Sequence, residues 1–416
     1  MKENQSLDDF HQLLLQLHLS YKKARKNKRN TQNQLAFEIN QEANLHRLAT
    51  AIYTRKYKPK PSVAFIIEKP VKREIFAADF EDRVVHHLIH RCLNPIVERK
   101  LIYDTYSCRI KKGTLFGINR IDHFIRSCSE NYQKEVFFLK IDVSAYFMSM
   151  QHTVIYDKVL ALLPKDKETF LGLPKELLLY LLKITVHNNV KENCKIKSNK
   201  RNWNDLPKTK SLFGVPNGVG LPIGNLTSQL FGNIYLNDFD HFVKKELKIT
   251  YYGRYVDDMV FVHQDKTFLE SLIPQLRNKL ASVGLELHPN KILLKSVSEG
   301  LPFLGQIIKP YRKYIASRTK NNFYRAIAKV NEQMLEHEDV PDEEKQKIQA
   351  TVNSYLGTLS KANTYRLRNA TMKKLHPQFN QRFLVKNDLQ KVQIRKAKKT
   401  WRYSQNSLST NLGMTY

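Results

Sequence analysis

The sequence has little cysteine and no long apolar run. Its 416 residues include four cysteines, Cys92, Cys108, Cys128 and Cys194, and no two of them have the CxxC spacing of zinc or redox sites. We therefore expect reduced structural thiols in a cytoplasmic protein. No apolar stretch reaches the roughly 18 residues of a membrane-spanning helix, and no signal peptide opens the chain. These absences argue against a zinc-dependent or membrane protein.

Acidic residues are also scarce. The chain has 39 Asp and Glu against 69 Lys and Arg, which gives a net charge of +30 that is spread along the whole sequence. Such a charge repels itself unless a polyanion is close, and nucleic acid is the commonest polyanion partner. An anionic membrane surface is a weaker alternative because the basic residues alternate with polar ones.

Apolar spacing predicts a chain with both helices and strands. Residues 7–57 repeat apolar side chains at helical spacing, and residues 61–80 predict two strands joined by a basic turn at 69–73. The polar, basic segment 187–219 predicts a long loop or an insertion. From about residue 317 the pattern is helical and basic, and the final stretch predicts a tail that is mobile or is ordered by a partner.

Three acidic residues interrupt apolar strand patterns. Asp257 and Asp258 are adjacent within GRYVDDMVFVH, and Asp142 ends the apolar run VFFLKID. An exposed turn in which aspartates end a strand is the simplest alternative. Buried neighbouring carboxylates repel each other and are costly without a partner. Mg²⁺ between these acids and a triphosphate would neutralise them, as phosphoryl transfer requires.

The motifs YVDD (255–258), KIDVSAYF (140–147) and FLG (303–305) resemble those of reverse transcriptases. The resemblance runs from about residue 20 to 330, with the motifs in the expected order. It implies a right-hand polymerase of the α+β class with an antiparallel palm sheet. The implied domains are N-terminal helices and fingers (1–135), palm (136–310, with the insertion 187–219), helical thumb (311–385) and a basic tail (386–416).

The resemblance implies a catalytic centre with two Mg²⁺ ions, or Mn²⁺ in their place. Asp142, Asp257 and Asp258 would be the metal-binding acids, and the carbonyl of Val143 would be a further ligand. Lys291 would lie near the leaving pyrophosphate. The primer 3′-hydroxyl would attack the α-phosphate of a bound dNTP.

Other residues are expected to contact nucleotide or nucleic acid. Phe147 would stack beneath the incoming sugar and exclude a 2′-hydroxyl, while Lys72 and Arg73, helped by Lys69, would bind the triphosphate. Ordinary packing and solvated surface charge are the alternatives for these positions. The residues expected at the template and primer are Arg109, Lys111, Lys112, Phe303, Leu304 and Gly305.

The stretch GLPIGNLTSQ (220–229) resembles the diversity-generating-retroelement clade, including nearby bacterial antiphage reverse transcriptases. Most reverse transcriptases have glutamine where Ile223 precedes Gly224. Isoleucine cannot hydrogen-bond the nucleotide, so base selection would depend more on shape, unless Ile223 is only a packing variant. Met148 departs from the proline of many relatives.

The implied partners are a dedicated structured template RNA, a primer, dNTPs, and a small basic accessory protein or a second reverse transcriptase. Two other functions stay open. A catalytically inactive RNA-binding scaffold on the same fold would be expected to lack one of the three acids. An RNA-dependent RNA polymerase would tolerate a ribose hydroxyl, which Phe147 opposes.

Overall fold

A computed structural model describes residues 2–26, 31–68, 71–336 and 340–395, apart from the side chains of residues 2–7 and 200. The chain divides into two compact units, Met1–Leu304 and Gly305–Tyr416. The predicted division into fingers, palm, thumb and tail stays a prediction. No helix in the described part of the chain is long and apolar enough to cross a membrane.

Helices and strands both contribute extensively to the first unit. Its helices are α1 (Lys2–Arg25), α2 (Gln32–Ile39), α3 (Gln41–Tyr53), α4 (Phe80–Lys100), α5 (Thr114–Cys128), α6 (His152–Leu162), α7 (Lys175–Val186), α8 (Leu226–Tyr235), α9 (Asn237–His241) and α10 (Lys266–Ala281). Its strands are β1 (Ser62–Ile67), β2 (Arg73–Ala77), β3 (Phe137–Ile141), β4 (Thr169–Phe170), β5 (Leu173–Pro174), β6 (Cys194–Ile196), β7 (Tyr252–Tyr255), β8 (Asp258–His263), β9 (Leu293–Ser296) and β10 (Leu301–Phe303).

A four-stranded antiparallel sheet lies at the centre of this unit. Its strand order is β7-β8-β3-β9, and Ile141 on β3 pairs with Met259 on β8. The apolar runs form the interior strands because four consecutive residues of β8, from Met259 to Val262, are buried. The sheet confirms the α+β class and the antiparallel arrangement expected for the palm.

Helix α10 shows how the sequence pattern builds the layer that packs on this sheet. Its buried leucines, Leu269, Leu272, Leu276 and Leu280, recur at helical spacing and form part of the core shared with β3 and β8. The Asp265 carboxylate begins the helix by accepting a hydrogen bond from the N–H of Phe268, 3.1 Å away.

The segment 187–219 is folded onto the strands β1 and β2. Its strand β6 pairs in parallel with β1, and β1 pairs antiparallel with β2. Val190 and Leu212 from the segment share a small core with Phe76 of β2 and with Met148. The segment, called the insertion below, thus has fixed contacts in the first unit, although its composition alone also permits a solvated loop.

The second unit is a helical bundle with two small hairpins. Its elements are β11 (Gln306–Lys309), β12 (Arg312–Ile315), α11 (Ser317–Glu336), α12 (Asp342–Leu359), α13 (Tyr365–Met372), α14 (Pro377–Arg382), β13 (Phe383–Lys386) and β14 (Lys391–Ile394). Phe323, Ile327, Val330 and Met334 form the buried stripe of α11. Asn353 on α12 fixes β14 by hydrogen bonds to the backbone N–H and C=O of Val392, at 2.6 and 2.9 Å.

Two features differ from the sequence-based expectation. The pattern from 226 to 247 predicts one helix, but the structure divides it into α8, α9 and a π-helical turn at Phe242–Glu246. The hairpin β13–β14 occupies the end of the predicted helical thumb and the first residues of the predicted tail. The rest of that tail, residues 396–416, and the predicted helper Lys69 lie outside the described residues.

Candidate active site

The three acids come together at one edge of the central sheet. Asp142 directly follows β3, Asp257 lies in the β7–β8 turn, and Asp258 is the first residue of β8. Because Ile141 pairs with Met259 in the antiparallel register, Asp142 lies next to Asp258. Repulsion from the Asp142 carboxylate contributes to raising the pKa of both Asp257 and Asp258, as expected for neighbouring acids. The structure therefore assembles the acids as the sequence motif indicates.

The turn that carries Asp257 has a constrained backbone. Tyr255 pairs with Asp258, which leaves Val256 and Asp257 as a two-residue turn. Val256 has φ of 58°, a conformation that β-branched residues rarely adopt and that costs about 1–3 kcal/mol. The surrounding structure must compensate for this cost if Asp257 is to be held in place.

Arg254 supplies that compensation from inside the sheet. Its guanidinium donates a 2.8 Å hydrogen bond to the carbonyl oxygen of Val256. The same group forms a fully buried ion pair with Asp240, with Nε–Oδ1 and Nη2–Oδ2 distances of 2.8 and 2.6 Å. Burial opposes the charge of Arg254, but the Asp240 carboxylate raises its pKa above the ordinary value. The Tyr252 hydroxyl also donates to Asp240, at 2.7 Å.

The pKa values of the two adjacent acids are raised. Burial raises the pKa of Asp257 to about 6, and repulsion from Asp142 adds to the effect. Burial likewise raises the pKa of Asp258 to about 6, although the Lys140 ammonium opposes the shift. Both carboxylates stay mainly ionised at neutral pH, and nearby positive charge would stabilise the ionised form further.

Two lysines provide part of this charge. Lys291 Nζ lies 2.8 Å from Asp142 Oδ1, and Lys140 Nζ lies 3.0 Å from Asp258 Oδ1. Asp258 Oδ1 is buried, and the ion pair with Lys140 is the polar contact it has among the described residues. Lys291 thus contacts one of the acids, and its place near the leaving pyrophosphate stays a prediction.

The donor set at this edge suits Mg²⁺. Among the described residues, no three His, Cys, Asp or Glu side chains are gathered closely enough to enclose a metal ion by themselves. Mg²⁺ usually binds one or two carboxylates and completes its shell with water and substrate phosphates, so a complete protein cage is not required. The poorly satisfied Asp258 oxygen and the raised pKa values fit a cation bound at this edge.

The backbone of Val143 is oriented for a role as ligand. The Asp142 carbonyl accepts from the His288 N–H, and the Ser144 N–H donates to the Glu286 carbonyl, both at 2.8 Å. Val143 lies opposite Leu287 between these two bonds, and the pair itself exchanges no backbone hydrogen bond. Its own carbonyl therefore faces away from that partner segment.

Phe147 contacts both α8 and the loop that precedes it. Its carbonyl accepts a 2.7 Å hydrogen bond from the Leu221 N–H, and its half-buried ring lies against Gly232. A Cβ at position 232 would approach this ring to 3.3 Å. Gly232 thereby leaves room for Phe147, whose place beneath the incoming sugar stays a prediction.

Ile223 and Gly224 join this loop to strand β2. The Ile223 carbonyl accepts from the Phe76 N–H at 3.0 Å. Gly224 has φ of 121°, and a Cβ there would lie only 3.0 Å from the Ile75 side chain. Glycine is required at this position for both conformation and close approach. Ile223 is half-buried in the small core that includes Phe76.

A family comparison agrees with this geometry. The family described as reverse transcriptase (RNA-dependent DNA polymerase) matches residues 59–308, which is more than half of the chain. The chain belongs to the reverse transcriptase family. The match includes all three acids, Lys291 and the loop with Ile223 and Gly224. No curated protein matches the chain.

Several solved telomerase structures are similar to this reverse transcriptase at low identity. Apo telomerase from Candida tropicalis truncated from the C-terminal domain is 13% identical with a TM-score of 0.45, over 66% of this chain and 60% of that one. Another structure of apo telomerase from Candida tropicalis is 13% identical with a TM-score of 0.45, over 76% of this chain and 59% of that one. Telomerase from Candida albicans with a fragment of telomeric RNA is 13% identical with a TM-score of 0.41, over 77% of this chain and 58% of that one. The reverse transcriptase thus spans about three fifths of each of these chains.

Among the residues expected to bind the triphosphate, Lys72 already has a partner. Its ammonium lies 3.5 Å from the exposed Asp205 carboxylate of the insertion. Arg73 is exposed at the start of β2. Triphosphate binding by these residues stays a prediction, and at Lys72 it would compete with Asp205.

The basic residues at 109–112 have different surroundings. The Arg109 side chain is buried in an ion pair with Glu98 at 2.8 Å and donates to the Ile102 carbonyl at 2.7 Å. The Arg109 guanidinium also donates to the Thr105 carbonyl at 3.2 Å. Contact with a phosphate would require Arg109 to break its bonds to Glu98 and to these carbonyl groups. Burial lowers the pKa of Lys112 to about 8, and its ammonium lies over the Tyr103 ring. Lys111 is exposed and has φ of 61°.

The residues expected at the primer also differ in exposure. Phe303 is fully buried, so its ring is not exposed to a primer. Leu304 and Gly305 both have positive φ, of 48° and 82°. The boundary between the two compact units falls between them. Primer contact through this backbone stays a prediction.

Sequence analysis missed three residues that organise the site. Lys140 contacts Asp258, Arg254 contacts the turn between β7 and β8, and Asp240 holds Arg254 in a buried ion pair. The one available signal was a charged residue inside an apolar strand pattern. Lys140 precedes Asp142 by two positions and thus shares its side of β3.

Proposed function

We propose that this chain is an RNA-directed DNA polymerase that makes cDNA from a dedicated structured RNA. The observation that carries the proposal is the convergence of Asp142, Asp257 and Asp258 at one sheet edge, with a strained turn held by Arg254. Raised pKa values and constrained backbone are typical of functional sites. The net charge of +30 suits template RNA and the RNA–DNA duplex.

The acids and the Val143 carbonyl would hold divalent metal, with Mg²⁺ or Mn²⁺ as the ion. Two such ions would supply charge stabilisation at the attacking and leaving oxygens. In the transfer, the primer 3′-oxygen forms a bond to the α-phosphorus of a dNTP, and pyrophosphate leaves. Lys291 would move from Asp142 to the leaving group, since half of its side chain is exposed.

A place in a diversity-generating retroelement or an antiphage system is the finer part of this proposal. It is supported by the form of the 220–229 loop, in which Ile223 offers its backbone carbonyl to Phe76 and an apolar side chain to the core. Without a side-chain amide at this position, base selection would rely on shape. A small basic accessory protein or a second reverse transcriptase would complete either system.

The alternative is an inactive RNA-binding scaffold. One observation favours it, because two of the acids already have a lysine partner. Purified protein with an RNA template, a DNA primer, dNTPs and Mg²⁺ distinguishes the two functions. DNA complementary to the template supports the polymerase, while RNA binding with no extension in Mg²⁺ or Mn²⁺ supports the scaffold.

Sugar selection provides a prediction for Phe147. We expect Phe147→Ala to increase ribonucleotide incorporation by roughly tenfold to a hundredfold relative to dNTP incorporation, because the aromatic ring would no longer block a 2′-hydroxyl. Extension assays with single nucleotides measure the ratio. Phe147→Tyr, which keeps the ring, should preserve the wild-type ratio, and equal ratios in all three proteins would contradict this role.

The pH dependence of metal binding provides another prediction. Asp257 and Asp258 have pKa values of about 6, so both become protonated as the pH falls through that value. Metal ligands must be ionised, so the Mg²⁺ concentration for half-maximal extension should rise by roughly tenfold between about pH 7.5 and 5.5. A half-maximal concentration that does not change over this range would contradict the assignment of these acids as ligands.

A further inference from the structure

The insertion presents a surface whose shape is fixed by strand β2. The buried Glu74 carboxylate accepts hydrogen bonds from Trp203 Nε1, Ser211 Oγ and the Leu212 N–H, at 2.7, 2.7 and 2.6 Å. Hydrogen bonds to a buried charged group are among the stronger ones in proteins. Residues 203–212 therefore have a fixed conformation on the first unit.

An exposed aromatic ring and three cations lie on this fixed segment or within two residues of its ends. Phe213 is 41% exposed, and its ring packs beside Trp203 and Phe76 with centroid distances of 6.3 and 5.4 Å. Arg201, Lys208 and Lys210 are also exposed. We call these four residues, Arg201, Lys208, Lys210 and Phe213, the aromatic–basic face. Residues 187–219 contain seven Lys and Arg against two acids, which gives the segment a net charge of +5.

Phe76 connects the aromatic–basic face to the loop that precedes α8. Phe76 contacts the Phe213 ring, and its N–H donates to the Ile223 carbonyl. Its own carbonyl lies 3.3 Å from a Cβ built on Gly224. A strand of nucleic acid on this face would thus run close to the loop that borders the active site.

We propose that the aromatic–basic face binds an unpaired stretch of the template RNA. Phe213 would stack on a base, and Lys208 and Lys210 would contact phosphates. A basic surface with an exposed aromatic ring is the usual composition of a single-strand binding site. Duplex RNA keeps its bases stacked inside the helix and offers no free base face to such a ring. This inference rests on the proposed polymerase function for the identity of the strand.

Binding to two labelled RNA–DNA duplexes tests the proposal. One carries an unpaired template overhang of about twelve nucleotides and the other an overhang of about two, lengths that span a single-strand site. We expect the wild type to prefer the longer overhang and Phe213→Leu to weaken binding to it by about tenfold. Phe213→Tyr keeps the ring and should bind as the wild type does. Unchanged binding by Phe213→Leu, which keeps an apolar side chain for folding, would overturn the proposal.

The salt dependence tests the cations separately. For Lys208→Ala with Lys210→Ala, the slope of log affinity against log salt should decrease by about 1.4 on the long overhang, because two phosphate contacts are lost. The matched control is Lys165→Ala with Lys167→Ala, which has the same spacing in the connection between α6 and β4. Equal slopes for both pairs would contradict the proposal. A wild type that prefers the long overhang but extends no primer would contradict the polymerase function, while the binding of single-stranded RNA to this face would still be supported.

Discussion

Replacing Asp257 with asparagine is expected to abolish primer extension, by at least about a thousandfold, while stabilising the metal-free protein. Activity falls because an amide is a poor replacement for a carboxylate ligand at the reacting phosphate. Stability rises because the half-buried Asp257 lies beside Asp142, and its pKa is about 6 instead of 3.8. Asparagine removes this repulsion with almost no change in volume.

The sign of the stability effect depends on pH. An acid whose pKa is raised in the folded state stabilises the fold below its unfolded pKa, near 4, and this contribution is lost as the pH rises through about 6. Without metal, the free energy of unfolding of the variant should therefore be about 1–3 kcal/mol higher than that of the wild type at pH 8. At pH 4 the two free energies of unfolding should be nearly equal. Urea unfolding at both pH values, with EDTA present, measures the difference.

Asp166→Asn is the matched control for this substitution. Asp166 is an exposed residue between α6 and β4, and its replacement should leave both activity and stability close to wild type. An Asp257→Asn protein that is less stable than the wild type at pH 8 would show that Asp257 is a structural acid. A protein that retains activity would remove it from the catalytic centre.

The second large effect is expected at Asp240, which lies outside the motifs that identify the family. Asp240→Asn leaves the Arg254 guanidinium as an uncompensated charge in the core, where the pair is fully buried. Removing one partner of such a pair costs about 3–5 kcal/mol. It also loosens the hold of Arg254 on the Val256 carbonyl, so the position of Asp257 changes. We expect a large decrease in the urea midpoint and a lower kcat in the folded fraction.

Asp238→Asn provides the control on the same helix. Asp238 lies two residues away and pairs with Lys158, but its side chain is 66% exposed. Exposed ion pairs contribute about 0–1 kcal/mol, so this variant should resemble the wild type. Equal stability of the two variants would contradict the role assigned to the buried pair. Arg254→Lys, which keeps the charge but loses the fork of hydrogen bonds, should reduce kcat more than it changes KM.

The acids of the site could be predicted from sequence because their signal is local. Asp142 ends an apolar strand pattern, and the pair at 257–258 interrupts another. The register between β3 and β8 then brings them together. The glycine at 224 is similarly explained by a positive φ and a close approach to β2.

The partners of these residues depend on long-range packing and could not be predicted in the same way. Glu74 is bound by groups 129 to 138 positions away in the sequence, so the fixed shape of the insertion is not visible in its composition. Arg109 carries the same charge as any phosphate-binding arginine, but its Glu98 ion pair buries it. Charge alone does not distinguish a structural cation from one that contacts nucleic acid.

Sequencing of the product made on a defined RNA tests the central claim most directly. The wild-type protein is given an RNA template with a DNA primer, dNTPs and Mg²⁺, beside the Asp257→Asn variant. The account predicts DNA complementary to the template from the wild type and none from the variant. Failure of the wild type to extend the primer in either Mg²⁺ or Mn²⁺, while it still binds the RNA, would contradict the polymerase function and support the inactive scaffold.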